Sequence, residues 1–254
     1  MEATDTLQAI FRWIHVVAGI MWIGLLYFFN FVNGPFQPTI DAPTKQKVNP
    51  ELMPRALYWF RWGAAWTWVT GLLLLLLVFY HGGLLFERPE TASLWLAIVM
   101  VVFTLVAAPV VYDILAKSGW GKDIRLVGGV GLALVVLVLI LYKVAGFSYR
   151  AYVIHTGAMF GTIMAFNVWM RIWPGQRQII TATKQGTPPD PAVVALAGTR
   201  SRHNTYMSVP LVWAMLNQHT TSFAQDFWTL VLAIIIGWAA VYWIYGKAGT
   251  VKGF

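Results

Sequence analysis

The 254-residue sequence contains no cysteine, and only 11% of its residues are charged. Without thiols it cannot form disulfides, thiolate metal sites or iron–sulfur clusters, and it cannot attach a c-type haem covalently. Any metal or haem must be held by His, Met or oxygen ligands. Acidic residues are scarce, ten against eighteen Lys and Arg, which gives a net charge of +8. In a chain that is 58% hydrophobic with a mean hydropathy of +0.63, this excess reads as the cationic flank of a membrane protein, not as a nucleic-acid surface. The first residues carry Glu2 and Asp5 instead of Lys or Arg, and the apolar run behind them has no small-residue cleavage site, so a removable signal peptide is not expected.

What the sequence does contain is long apolar runs. Six are clear, at residues 7–32, 56–80, 93–112, 124–144, 149–173 and 227–245, each long enough to cross roughly 30 Å of hydrocarbon. A more polar stretch at 201–222 is the candidate for a seventh. The expected fold class is an all-α polytopic transmembrane helix bundle of about seven spans, forming one domain over 1–254. Two connections, Gly34 to Pro54 with five prolines and Gly175 to Ser201 with the run GTPPDP, are expected to lie outside helix interiors. With seven crossings, fourteen of the eighteen Lys and Arg fall on one side, leaving Arg12, Arg88, Lys143 and Arg150 on the other. Cytoplasmic flanks hold such an excess, so the N-terminus is expected outside and the C-terminus inside.

Four of the five histidines then gather towards the cation-poor side. His15 lies eight residues into the first run, about 12 Å deep, and His155 six residues into the fifth, about 9 Å deep. His81 and His219 end the second and sixth runs, and His203 alone lies at the other side. An intramembrane histidine usually faces a cavity or a partner, so His15 and His155 are site candidates. Neutral imidazoles at matching depth are what a non-covalent, bis-histidine b-type haem needs as axial ligands, with His219 as a further candidate ligand. Gly19, Gly157 and Gly161 lie one turn away and offer either room for a macrocycle or close helix contact. Arg12 and Arg150, about one turn nearer the water, suit haem propionates or an anionic substrate.

In the sixth segment His203, Tyr206, Pro210, Trp213 and Asn217 recur at spacings of three and four, a stripe expected to face the bundle interior. His203, Asn204, Tyr206 and Asn217 are the candidates for a polar pocket, with Asn30, Asn33, Thr67, Thr70 and Asn167 on neighbouring helices. The many Trp residues fit an interfacial aromatic belt.

Four stretches, RWIHVVAGIMWIGLLYFFNFVN, RALYWFRWGAAWTWVTGLLLL, HTGAMFGTIMAFNVWMRIWPGQR and SRHNTYMSVPLVWAMLNQH, resemble in order and spacing the membrane domain of the bacterial membrane-bound urate hydroxylases. The resemblance implies a multi-pass protein of the bacterial inner membrane. It further implies oxidation of urate to 5-hydroxyisourate with oxygen from water, and electrons passed to a cytochrome c. It carries over His15, His155, His203, Asn204 and His219 as motif positions. Family members continue into a cytochrome c domain with a CxxCH site, whereas this sequence has no cysteine, so the implied electron acceptor is a cytochrome c on a separate chain.

Three readings stay open at this level. The chain is a urate hydroxylase-like oxidoreductase that binds a purine-like anion near Arg12 or Arg150 and uses a b-type haem; a haem b electron-transfer or anchoring subunit of a larger respiratory or photosynthetic complex; or a haem-free transporter. Histidines away from the midplane favour the redox readings, because transporter sites sit near the midplane between broken helices.

Overall fold

The computed structural model describes residues 2–88, 90, 92–217 and 227–253, and in them the chain forms a bundle of long helices. These are α1 (Ala3–Thr39), α2 (Ala42–His81), α3 (Leu94–Lys117), α4 (Ile124–Ala145), α5 (Tyr149–Lys184), α6 (Pro191–Asn217) and α7 (Phe227–Ala248). Short polar side chains start several of them. Asp41, Ser93, Asp123 and Ser148 each accept a hydrogen bond from a main-chain N–H of the first turn. Hydrogen bonds from Thr44 hold the exposed Asp41 carboxyl below the usual carboxylate range. Gly146 ends α4 in the left-handed region, φ +66°, which a residue with a Cβ rarely adopts.

α1 to α5 and α7 are long and apolar enough to cross a membrane, and the protein is a multi-pass membrane protein. α6 is too polar to qualify by composition. Its 27 residues nevertheless make about 40 Å of helix, and it runs antiparallel to α5 over the height of the bundle. The register is visible at three small residues of α5: Gly157 lies against Ala214, Gly161 against Leu211 and Gly175 against Ala197. α6 is polar because protein, not lipid, surrounds it: α5 lies along one side, α7 along another, and α1 also touches it.

The bundle is organised around α5. Within its most apolar stretch 61% of residues are buried, against 17–33% for the other five spans, and every residue from Ala151 to Gly157 is inside. α2, α3, α4 and α6 all pack on it. Large apolar side chains such as Trp13, Ile20, Leu94, Trp95 and Val144 are exposed on the perimeter, where lipid covers them.

The Pro-rich connections depart from expectation. α2 begins at Ala42 and continues through Pro50 and Pro54, while α5 runs on through Pro174 to Lys184. Each proline forfeits one main-chain hydrogen bond. The α2 and α5 extensions, however, pack against each other, and Gln46 donates from Nε2 to the Lys184 carbonyl. That tertiary contact offsets the local cost. At the opposite end the α2–α3 connection is tied to the α4–α5 turn by an isolated antiparallel bridge, Phe86 to Phe147.

Candidate functional site

The expected haem pair comes first. α1 starts before the apolar run, in polar turns outside the hydrocarbon, so His15 keeps its depth of about 12 Å from the start of that run and His155 its depth of about 9 Å. His15 binds the Thr67 carbonyl through Nδ1 at 2.8 Å, with the Thr70 hydroxyl at 3.3 Å, and its ring lies against Gly71. His155 is wholly buried; its Nδ1 donates to the Ala151 carbonyl at 2.7 Å and its Nε2 accepts from the Tyr80 hydroxyl at 2.9 Å. In both rings Nδ1 is committed to a main-chain carbonyl, the tautomer that leaves Nε2 as a lone pair. Yet the two rings share no partner, and Tyr80 holds the Nε2 that an iron would need. The space beside the glycines is taken as well: a Cβ on Gly157 would stand 2.9 Å from the Met215 methyl.

The other expected residues fall as follows. Arg12 and His81 are exposed and Arg150 is half-buried, its Nε without a partner. His219 lies outside the described residues. The sixth-segment stripe divides. Tyr206 stacks on Tyr245 of α7 with ring centroids 6.0 Å apart, and Asn217 donates to the Trp213 carbonyl of its own helix. His203 and Asn204 alone turn into a common polar centre.

That centre lies towards the cation-rich end, between α3, α5 and α6. Arg200, His203 and Asn204 share one face of α6 by their three and four spacing, and α3 presents Tyr112, Asp113 and Lys117. α5 supplies Asn167 and Arg171, the latter inside a π-helical turn, Val168–Ile172; a second such turn, Phe103–Ala107, precedes Tyr112 on α3. Extra-residue turns of this kind re-aim side chains and recur at functional sites.

Asn167 Nδ2 donates to the Tyr112 hydroxyl at 2.9 Å and to Asn204 Oδ1 at 2.8 Å, and Asn204 Nδ2 donates to the Met164 carbonyl at 3.0 Å. Because Asn167 is the donor there, the Tyr112 proton is directed to His203 Nδ1, 2.9 Å away. Beside this chain, Asp113 binds three cations. Arg171 grips it with Nε at 3.0 Å and Nη2 at 2.6 Å, Lys117 reaches it at 2.9 Å, and Arg200 Nη2 lies 2.9 Å from Oδ1. Arg200 is completely buried, with its guanidinium carbon 5.1 Å from the centre of the Tyr112 ring. Tyr112, Asn167, His203 and Asn204 are buried as well.

Sequence reasoning missed Tyr80, Tyr112, Asp113, Arg171 and Arg200. The third apolar run stops at Tyr112, whereas the helix continues to Lys117 and makes Asp113 a carboxylate inside a helix. Arg171 and Arg200 entered only as cations of one flank. The signal that finds them is their spacing to Asn167 and His203 on the same helix faces.

The model of a known family, described as urate oxidase N-terminal, matches residues 39–248. The chain belongs to the urate oxidase N-terminal family. The matched stretch of this family's model contains α2 to α6 whole, and with them every residue of the polar centre. No curated protein and no solved structure matches the chain.

Proposed function

We propose that the chain is the membrane-embedded part of a urate-oxidising system of the bacterial inner membrane. A purine-like anion, urate, gains a hydroxyl whose oxygen comes from water and leaves as 5-hydroxyisourate. That conversion releases two protons and two electrons, and a cytochrome c on a separate chain takes the electrons one at a time. The observation that carries the reading is the urate oxidase N-terminal match over most of the chain. The polar centre supports it chemically. It offers buried cations for an anion and a Tyr112 to His203 hydrogen bond along which a released proton can move.

The experiment is urate consumption by membranes containing the full chain, followed through urate's ultraviolet absorbance with oxidised cytochrome c as acceptor. Two cytochromes reduced per urate consumed is the expected stoichiometry. No urate loss with any c-type acceptor would sink the reading. A reduced-minus-oxidised spectrum of the same preparation tests the expected b-type haem, whose α-band must be present and must appear when urate is added to the oxidised protein if electrons pass through it. A band reduced by dithionite and never by urate identifies an electron-transfer subunit without its own substrate.

A further inference from the structure

We propose that the buried guanidinium of Arg200, with Asn167 beside it, is the recognition point for the anionic edge of a planar oxopurine. The inference rests on the functional reading above and locates its substrate. Three observations meet at this point.

The first is an unmet demand for acceptors. Arg200 is completely buried, and its Nη2 binds Asp113, but Nε and Nη1 have no partner. Buried donors are almost always satisfied, and two free donors on one sealed cation call for acceptors on an anion.

The second is charge. Arg171, Arg200 and Lys117 share the single carboxylate of Asp113, which leaves two positive charges uncompensated among these four side chains. Cations at such a place in a membrane protein are paired or mark a functional site.

The third is an unmet demand for a donor. Asn167 commits its amide nitrogen to Tyr112 and Asn204, and its Oδ1 is buried without a partner. Asn167 and Arg200 meet at Tyr112, one at the hydroxyl and the other over the ring. Two donors on a cation and one nearby acceptor are the complement of a urate anion, whose ring edge sets acceptors beside N–H groups. Sulfate, an anion without any donor, leaves Asn167 unmatched.

Access is from the cation-rich end. Lys117 is the exposed member of the cluster, and its ion pair with Asp113 is the one that water weakens most, so Lys117 is the arm that swings aside. Behind it stand the partly covered Arg171 and then the sealed Arg200.

The test is urate binding to the purified full chain in lipid nanodiscs by titration calorimetry, with urate oxidation measured on the same preparations. Arg200→Lys keeps the charge and removes the free Nε and Nη1 donors; Asn167→Asp keeps the size and turns an acceptor amide into a carboxylate that repels the anion. About a tenfold or greater loss of urate affinity in either folded variant, with sulfate failing to compete in the wild type, is the expected result. If Arg200→Lys does not fold, Asn167→Asp carries the same test. Affinities within about twofold of wild type in the folded variants would overturn the site while leaving urate oxidation standing. Binding that depends on Arg200 and Asn167 without any cytochrome-linked oxidation would overturn the reaction and keep the site. A wild type that oxidises urate but loses binding on Arg150→Gln alone would move the site to the opposite end.

Discussion

Asp113 holds together cations from three helices, and the consequence of removing its charge differs for each of them. Arg200 has no contact with water, so Asp113→Asn leaves an uncompensated buried guanidinium, a change that typically costs about 3–5 kcal/mol. Lys117 is mostly exposed, and Lys117→Gln should cost under about 1 kcal/mol. Thermal unfolding of the two variants in detergent should therefore separate them widely; equal shifts would mean that Arg200 is not the residue that depends on Asp113. At the other end of the bundle, Tyr80→Phe removes the hydroxyl held by His155 Nε2 inside a fully buried site and should cost about 1–3 kcal/mol. His15, half-buried with threonine oxygens around Nδ1, should tolerate Ala better than His155 does. A larger loss at His15 in the same melting assay would contradict this ranking.

Between helices the decisive quantity is how closely two backbones approach. α5 and α6 are brought together by small residues, but not uniformly. A Cβ at Gly157 would sit 2.9 Å from the Met215 methyl and 3.0 Å from the Ala214 Cβ, whereas one at Gly161 would sit at an ordinary 3.5 Å from Leu211. Gly157→Ala should thus push α6 outwards and destabilise the bundle by about 1–3 kcal/mol. Gly161→Ala should be neutral or slightly stabilising, because alanine is the better helix former by about 1 kcal/mol. Unfolding midpoints of the two single variants check the pair, and a penalty at Gly161 equal to that at Gly157 would refute the register. The helix existence and order were legible in the sequence because apolar runs long enough to span carry their own signal. The ends were not. α1, α2, α3 and α5 all extend past their apolar runs, since polar turns outside the hydrocarbon are held by partners such as Gln46 with the Lys184 carbonyl, which no local pattern announces.

At the scale of the whole molecule, the cations divide between the two ends of the bundle, fourteen against four when all seven helices cross. That asymmetry makes a cytoplasmic C-terminus the expected orientation. A C-terminal green fluorescent protein fusion should fluoresce, and a C-terminal alkaline phosphatase fusion should be inactive in the same cells. The reverse pattern would invert the bundle and place access to Arg200 on the periplasmic side.

Composition determined the class. A chain that is 58% hydrophobic with only 11% of its residues charged must bury its surface in lipid, and the motifs of its helices mark its family. His203, the first residue of the three-four stripe of α6, is buried, and so is Asn204 beside it. Only the tertiary structure decided which polar groups meet. Depth counted along one helix does not say which neighbour stands there: His15 binds the Thr67 carbonyl, and His155 binds Tyr80. Asp113, Arg171 and Arg200 looked like unrelated charges, and they converge because α3 and α6 both pack on α5 at the same height.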